Sequence, residues 1–485
     1  MTRIFRFGIP ALFAALLILM LSCQNVARID MQGWDPRVKD ALNDFMQSNL
    51  NKGRYVVFDF DNTVSIGDIQ QQVEAYQIFL MAFEMTPEEF PQMLSFHLNG
   101  FYADEISDIS TDYKLLYEKY GPFHKTGVLA TKLQKMHEDV LWQDFSSRLK
   151  ALFNDVRRDE RTAIRSAITF LMQKWFMPEE CYQLALNTCS LFARIDTEKH
   201  TWATPEGLKR KSGAKEATLH FGISVTEEIK QLWSVLKQNG IDIWVCSASQ
   251  AEHIMAAIDH FGLHGLCTGV VAVNTCFDKG GRLDYAFGET GYEYLSNPDG
   301  SWRKGNHVFS AQPRSEKKVS CIEECIAPYY GGQKPVAAFG DSTSDFYFAT
   351  VFESLELALY FNTGISSPKN GSGLVSMLAL YEEEVLQYDY RKARKAGDIL
   401  FLVQGRNENG KRTLIPSKCN IAYGTKDEIL FGSFDCYHTL KYIKKSGLSI
   451  KDAINTLSKK TSENESPFHV AYGWTENYQG YRTRK

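Results

Sequence analysis

Short apolar runs alternate with amphipathic stretches along most of the chain. Residues 54–60 (RYVVFDF) form a nearly continuous apolar run, which is typical of a strand buried on both faces. Similar runs occur at 241–246, 335–339 and 357–361, and stretches with helical periodicity include 35–48 and 226–238. Strands that alternate with helices predict an α/β protein with a doubly wound parallel sheet.

A long segment between the first two of these strands has no comparable strand pattern. Residues 66–221 show amphipathic helical periodicity instead, for example at 128–149 and 161–176. We therefore expect a large helical cap inserted after the first strand. Further along, 270–277 and 282–287 flank a DKGG turn and predict a hairpin on the core.

These patterns divide the chain into five predicted parts. They are a signal peptide at 1–22, a helical lead at 23–52, an α/β core at 53–66 and 222–375, a helical cap at 67–221 and an accessory C-terminal region at 376–485. The accessory region is charged, and the sequence around 407–410 predicts a second hairpin.

The first residues have the pattern of an export signal. Arg3 and Arg6 precede an apolar run at 9–21, which is shorter than the roughly 20 residues that a transmembrane helix needs. The run ends in Ser22-Cys23, which is similar to the bacterial lipobox, whose cysteine is acylated. We expect an exported protein in the periplasm or outer cell envelope, anchored to the membrane through a lipid on Cys23. An ordinary cleaved signal and an uncleaved anchor are the alternatives.

Composition narrows the class of partner. The 485 residues include 54 Lys and Arg against 58 Asp and Glu, with no long run of one sign. Binding to a nucleic-acid backbone needs a concentrated positive surface, so we expect no nucleic-acid partner. The 10 cysteines include pairs that are close in sequence, at 181/189, 267/276 and 321/325, and each pair is either a disulfide or two buried thiols.

Two carboxylates follow the first predicted strand directly. Asp59 and Asp61 are two residues apart, so an extended backbone can bring both side chains to one small site. In open parallel sheets, ligands bind beyond the carboxyl ends of the strands. Carboxylates at close quarters repel each other unless a cation or a shared proton relieves them. Oxygen ligands of this kind suit Mg²⁺, so we expect a magnesium site here.

Other residues with useful chemistry fall at corresponding places. Ser247 follows the strand at 241–246, where a hydroxyl and backbone N–H groups can bind a phosphate oxygen. Lys317 and Lys318 open a helix at 319–326, and an ammonium there can neutralise phosphate charge. The strand at 335–339 leads into a tight glycine turn that carries two further carboxylates, Asp341 and Asp345.

The order and placement of these residues resemble the haloacid dehalogenase superfamily of phosphohydrolases, in particular its phosphoserine phosphatase-like branch. The four matching motifs are Asp59-x-Asp61-x-Thr63, Ser247, Lys318 and Gly340-Asp341-x-x-x-Asp345. Lys318 is preferred over Lys317 because an apolar helix face follows it. The superfamily places its helical cap directly after the first motif, where this chain has its long helical segment.

The resemblance implies a phosphatase that uses Mg²⁺. Asp59 would attack phosphorus and form a phosphoaspartyl intermediate, and Asp61 would act as general acid and then as general base. The metal would be held by the Asp59 side chain, the Asp61 carbonyl and Asp341, with support from Asp345. The substrate would be bound by Thr63, Ser247, Lys318 and Asp68.

The substrate class is a small phosphomonoester. The export signal, the DFDNT form of the first motif and the large cap resemble exported bacterial phosphorylcholine phosphatases, and Asp68 lies where these enzymes keep an acidic residue that faces the leaving group. Gln70 and Gln71 depart from that pattern, because the phosphorylcholine enzymes tend to have carboxylates there. Two other functions stay open: a phosphotransferase of the same fold, and a lipoprotein that binds a ligand without turnover.

Overall fold

The structure is a computed structural model of the chain. It describes residues 26–362 apart from gaps at 97, 99, 126, 160, 162–167, 195, 288–289, 315, 346 and 350, together with 400–407, 411–416, 474–477 and 481–484. Among these residues, no helix is long and apolar enough to cross a bilayer. The predicted signal peptide, Cys23 and most of the predicted accessory region lie outside the described residues.

Among the described residues, the strands form one central eight-stranded sheet and three separate two-stranded sheets. In chain order the strands are β1 (Arg54–Phe58), β2 (Glu198–Ala203), β3 (Glu216–Phe221), β4 (Ile241–Gln250), β5 (Gly269–Val273), β6 (Thr275–Phe277), β7 (Leu283–Phe287), β8 (Gly291–Ser296), β9 (Trp302–Phe309), β10 (Ala337–Gly340), β11 (Leu357–Asn362), β12 (Leu400–Gly405), β13 (Trp474–Asn477) and β14 (Tyr481–Arg484). The main sheet has the order β12-β11-β10-β1-β4-β5-β8-β9. Its strands from β12 to β5 are parallel, and β8 and β9 extend it antiparallel.

Helices flank this sheet and form a separate cap. In chain order they are α1 (Pro36–Asn49), α2 (Ile69–Leu80), α3 (Phe90–Ser95), α4 (Ala103–Tyr120), α5 (Ala130–His137), α6 (Val140–Arg158), α7 (Ile168–Leu171), α8 (Pro178–Phe192), α9 (Glu227–Gln238), α10 (Ala251–His260) and α11 (Lys317–Cys321). The predicted α/β class with a largely parallel sheet and a helical region after the first strand is therefore confirmed.

The four apolar runs form neighbouring strands of the sheet, as predicted. The 54–60 run forms β1 at the centre, between β10 and β4, and its residues 55–58 are buried. Phe58 stacks on Phe339 of β10 with ring centroids 3.9 Å apart, and Trp233 of α9 packs against it at 5.5 Å. Because burial of such a side chain contributes about 1.5–3 kcal/mol, this cluster fixes β1 firmly against its neighbours.

The cap contains one element that the sequence analysis missed. β2 and β3 form an antiparallel hairpin within the segment that we expected to be entirely helical. Their pattern is half polar because only one face is buried: Leu219 and Phe221 point inward, while Thr218 and His220 are more exposed. The predicted helix at 128–149 is also two helices, since Asp139 interrupts it and accepts a hydrogen bond from Leu141 N, at the start of α6, at 3.0 Å.

Strand β12 adds to the main sheet from beyond the predicted core boundary at residue 375. β12 pairs in parallel with β11 from Leu357↔Leu400 to Asn362↔Gly405, so the sheet continues beyond residue 375. Gln404 ties this strand to the N-terminal lead, because its Oε1 accepts a hydrogen bond from Asp35 N at 2.8 Å. The apolar run at 399–403 has the usual strand pattern, but it follows a charged stretch and all four motifs precede it.

The smaller predictions have mixed outcomes. The 270–277 run divides into β5, which joins the main sheet, and β6, which forms the expected hairpin with β7. The chain pairs antiparallel around 407–410, as an Arg406↔Leu414 bridge shows, although 408–410 themselves lie outside the described residues. Each of the six cysteines in the three close pairs is a free thiol, so the disulfide alternative is wrong for them.

Candidate active site

The candidate site begins where β1 ends. Asp59 N still donates to Phe339 O of β10 at 2.9 Å, which fixes the start of the motif against the neighbouring strand. The chain then turns sharply at Asn62, whose φ is 58°. Asparagine tolerates this left-handed conformation better than most residues. The turn directs the backbone away from the sheet and into the cap.

Lys318 joins two of the predicted carboxylates. Its ammonium donates to Asp59 Oδ1 at 2.8 Å and to Asp345 Oδ1 at 2.7 Å, and the lysine is fully buried at the start of α11. Lys317 is half-buried and does not line the site cavity. The choice of Lys318 over Lys317 thus agrees with where the two side chains lie.

The loop after β10 is built around Asp345. Its Oδ2 accepts hydrogen bonds from Asp341 N, Ser342 N and Ser342 Oγ, each at 3.1 Å. Gly340 allows this close packing, because a Cβ there would lie 2.6 Å from the Cβ of Asp345. Asp345 therefore holds the loop and the lysine, and the loop in turn presents the Asp341 side chain to Asp59.

Three carboxylates form a group with the geometry of a candidate metal site. Oxygen atoms of Asp59, Asp341 and Asp345 all lie within 4.8 Å of one another. Lys318 forms ion pairs with Asp59 and Asp345, and one ammonium does not balance three carboxylates. Among the described residues, this group therefore has an excess of negative charge. Hard divalent cations such as Mg²⁺ prefer a donor set of this kind, and the residues fit the predicted metal.

The acidity of these groups reflects the same excess of charge. Burial and the Asp345 carboxylate raise the pKa of Asp59 to about 7, although Lys318 acts in the opposite direction. Burial, followed by the charges of Asp345 and Asp59, also raises the pKa of Asp341 well above its usual range. Without a cation the site therefore favours protonated carboxyl groups, and a cation would compete with those protons.

Asp61 has a different environment from Asp59. Its Oδ1 accepts from Ile69 N at 2.8 Å and its Oδ2 accepts from Ser249 Oγ at 2.5 Å. Burial and the charge of Asp68 raise the pKa of Asp61 well above its usual range. A carboxyl group whose pKa is raised, placed beside a second carboxyl group, is an arrangement that suits general acid catalysis.

A cavity of about 410 Å³ opens between the core and the cap over these carboxylates. Its lining residues are Asp59, Asp61, Asn62, Asp68, Gln70, Gln71, Arg157, Thr169, Phe170, Ser247, Ala248, Ser249, Arg314, Lys318, Asp341, Ser342 and Ser344. Most of the residues predicted from the motifs thus meet in one place.

Three predicted substrate ligands have particular positions in or near the cavity. Ser247 lines it, and its hydroxyl accepts from Ser249 N at 3.2 Å. Asp68 lines it too, but its carboxylate also caps α2 by accepting from Gln71 N at 2.9 Å. Thr63 is buried and is absent from the lining residues. The structure therefore brings Ser247 and Asp68 to the cavity and leaves Thr63 behind the site.

Several polar residues of the site could not be predicted from the sequence motifs. Arg157 comes from α6 of the cap, where buried Glu74 accepts hydrogen bonds from both Arg157 and Lys150. Arg314 precedes α11, and Ser249 holds Asp61. Only Ser249 had a sequence signal, because it follows the strand end that carries Ser247. Arg157 lies far from every motif along the chain, and Arg314 lies shortly before Lys318 but belongs to no motif.

The fold of this chain is similar to that of a solved protein structure. The chain resembles a conserved functionally unknown protein from Anaerococcus prevotii DSM 20548, with a TM-score of 0.63 and 20% identity over 82% of this chain and 100% of that chain. A phosphoserine phosphohydrolase-like protein from Francisella tularensis subsp. tularensis SCHU S4 matches with a TM-score of 0.28 and 13% identity over 64% of this chain and 88% of that one. Cytosolic 5'-nucleotidase IIIB bound to cytidine matches with a TM-score of 0.28 and 14% identity, over 82% of this chain and 92% of that one. No family model and no curated protein matches.

These comparisons define the class of fold and no more. The Anaerococcus similarity supports an α/β fold over most of the chain, and the two weaker matches are too distant to carry a functional argument. Beyond the fold, the molecule contains a buried group of three aspartates at the strand ends. Any statement about activity therefore depends on the geometry of that site.

Proposed function

We propose that the protein is a Mg²⁺-dependent phosphomonoester hydrolase of the haloacid dehalogenase type, which acts through a phosphoaspartyl intermediate. The observation that carries this proposal is the placement of Asp59 at the end of β1. Its carboxylate lines the cavity, is held by Lys318 and has Asp61 beside it. A nucleophile, an acid and a cation in one buried cavity are the groups that phosphoryl transfer needs.

The reaction proceeds in two displacements. An Asp59 oxygen attacks phosphorus, the bond between phosphorus and the ester oxygen breaks, and Asp61 gives its proton to the departing alkoxide. Water then attacks the phosphoaspartyl group, Asp61 takes a proton from that water, and the bond between phosphorus and the Asp59 oxygen breaks. Inorganic phosphate leaves, and both aspartates return to their starting states.

The remaining site residues bind and orient the phosphate. Asp59, Asp341 and Asp345, with the Asp61 carbonyl, are the groups that would hold Mg²⁺. When bound, Mg²⁺ supplies positive charge that offsets repulsion between the carboxylates and the phosphate. Lys318 adds a second cation, and the Ser247 hydroxyl lines the cavity where a phosphate oxygen can accept a hydrogen bond.

The test uses the full chain and a panel of phosphomonoesters, with Mg²⁺ and with a chelator. We expect Mg²⁺-dependent phosphate release, loss of turnover in Asp59→Asn, and a phosphoryl group on the peptide that contains Asp59 in acid-quenched wild-type protein. Asp104→Asn is the matched control, since Asp104 is exposed at the start of α4. Unchanged activity in Asp59→Asn would rule out the covalent mechanism.

Two rival functions give different results in the same assays. A phosphotransferase would form a new phosphoester when an acceptor alcohol is added, with less free phosphate. A ligand-binding protein without turnover would bind phosphomonoesters and never release phosphate. The intact set of Asp59, Asp61 and Lys318 in one cavity favours hydrolysis over pure binding.

The cavity lining bears on the leaving group, for which the sequence resemblance offers a choline-like group as the candidate. Asp68 lines the cavity and would attract a cation. Arg157 and Arg314 line it as well and would repel one, and Phe170 is the single aromatic side chain among the lining residues. Quaternary ammonium groups are usually recognised by several aromatic faces. Phosphorylcholine, phosphoethanolamine and phosphoserine in the panel separate these cases by the charge of the leaving group.

The place of action is a separate proposal. The N-terminal pattern supports export and attachment through acylated Cys23. Mass spectrometry of the mature N-terminus tests this: a diacylglyceryl cysteine at position 23 supports the anchor, and an unmodified or differently cleaved terminus contradicts it.

A further inference from the structure

Two linkers connect the core with the cap, and they cross each other tightly. The outgoing linker is residues 60–68 and the returning linker is residues 222–226. At the crossing, Ile66 N donates to Ser224 O at 2.7 Å and Ser224 N donates to Ile66 O at 3.1 Å. Gly67 has a φ of 105°, and a Cβ there would lie 2.7 Å from Gly222 O. The two linkers therefore move as one unit.

Arg406 binds the outgoing linker from the end of β12. Its Nη1 donates to Asn62 O at 2.8 Å and its Nη2 donates to Asn62 Oδ1 at 3.4 Å, although the two residues are far apart in sequence. The side chain is 1% exposed, so these bonds lie in a water-poor environment. Asn62 adjoins Asp61 and has the strained positive φ. The guanidinium thus braces the turn that carries Asp61.

Arg412 binds the returning linker in a similar way. Its Nη2 donates to Gly222 O at 2.7 Å, and this is the same carbonyl that Gly67 approaches. The neighbouring residue Lys411 forms an antiparallel bridge with Asp196 in the cap. Residues 400–407 and 411–416, here called the clamp segment, consequently contact both linkers and the cap while β12 belongs to the core sheet.

We propose that the clamp segment holds the cap linkers in place and that Arg406 is a positioning residue for Asp61. The inference rests on the proposed function, in which Asp61 is the general acid. Asp61 bonds to Ile69 N on the cap side and to Ser249 Oγ on the core side, so its position depends on the linker between them. A general acid must stay within hydrogen-bond reach of the leaving oxygen, and a small displacement lowers the rate greatly.

The test compares two substrates that differ in their need for an acid. Nitrophenolate leaves without a proton, whereas an alkoxide needs one, so p-nitrophenyl phosphate and glycerol 2-phosphate are the probes. In Arg406→Met we expect kcat/KM for glycerol 2-phosphate to fall at least about tenfold more than kcat/KM for p-nitrophenyl phosphate. Arg406→Lys retains a cation that can reach one acceptor, and it should recover part of the difference.

The controls separate positioning from general destabilisation. Leu402→Val weakens the buried side of the same strand and should lower the melting temperature without changing the ratio between the two substrates. An equal loss on both substrates in Arg406→Met would overturn the positioning role. If Arg406→Met does not fold, Arg406→Gln, which also removes the charge, gives the same comparison.

A readout without turnover tests the clamp itself. In Arg412→Met we expect amide hydrogen exchange at Ile66 and Ser224 to accelerate by at least about tenfold, because both amides hold the crossing. Exchange at the wild-type rate would overturn the clamp. This result does not depend on activity: a wild-type protein that hydrolyses neither probe would refute the proposed function, and the exchange data would still decide the clamp.

Discussion

The affinity of the site for Mg²⁺ should depend steeply on pH. Burial and the Asp345 carboxylate raise the pKa of Asp59 to about 7 when no metal is present. Burial also raises the pKa of Asp341. A metal ligand must be deprotonated, so Mg²⁺ and protons compete for these carboxylates. Below pH 7, displacement of one proton weakens the apparent affinity about tenfold for each pH unit, which is about 1.4 kcal/mol.

The magnitude follows from this competition. Between pH 7 and pH 5 the apparent dissociation constant should rise about 50-fold if Asp59 alone releases a proton, which is about 2.3 kcal/mol, because Asp59 is already about half-protonated at pH 7. Titration of Asp341 in the same range would make the dependence steeper. The metal-free protein, by contrast, loses stability as pH rises from about 4 to 7, because a raised folded-state pKa favours the protonated form.

The assay is calorimetric titration with Mg²⁺ at several pH values, in buffers with different ionisation enthalpies, so that the number of released protons is measured directly. Asp341→Asn should lose most of the binding, and Asp104→Asn should retain it. The stability of the metal-free protein is a less direct measure of Asp59 titration. Burial lowers the pKa of His253 to about 3, so His253 changes stability with pH in the opposite sense over this range. An affinity that stays constant from pH 5 to pH 7 would refute the reasoning.

Three further predictions concern buried charges. Lys318→Met should lower the free energy of unfolding by about 3–5 kcal/mol in urea titrations and kcat/KM by at least about 100-fold, since it leaves Asp345 without its ammonium. Arg148→Leu should destabilise the cap by about 1–3 kcal/mol, measured by hydrogen exchange, because Arg148 pairs with buried Asp144 at 2.8 Å while Arg210 remains beside the same carboxylate. His253→Asn should flatten the fall in stability from pH 6.5 toward pH 3 by up to about 5 kcal/mol in chelator-containing urea titrations, since wild-type His253 is buried and neutral.

The sequence was sufficient to predict the parallel part of the fold, because a strand buried on both faces leaves a continuous apolar run. The runs that became β1, β4, β10 and β11 are all of this kind. The β2–β3 hairpin escaped notice since only one of its faces is buried, which leaves half of its side chains polar. A strand buried on both faces is therefore easier to predict from sequence than a strand buried on one face.

The same physical reason explains which site residues could be found. Asp59 and Asp341 follow strand ends, and Ser247 lies near the carboxyl end of β4, which continues to Gln250. Parallel strands bring their carboxyl ends to one edge, so local sequence indicates that these residues meet. Arg157 reaches the cavity from the cap only because α6 packs on α2, where Glu74 holds it. Arg406 reaches Asn62 through the pairing of β12 with β11. Neither contact leaves a local pattern in the sequence.

The charges of the site explain why we propose a metal there in addition to the lysine. Lys318 binds Asp59 and Asp345 but leaves the Asp341 carboxylate in the same buried group, so one ammonium does not balance three carboxylates. Protonation is one way to relieve the excess, as the raised pKa of Asp59 shows. A protonated Asp59, however, is a poor nucleophile, because attack on phosphorus requires the carboxylate. A divalent cation would relieve the excess without that penalty, so in the proposed mechanism a cation beside Lys318 increases the fraction of Asp59 that can attack phosphorus at neutral pH.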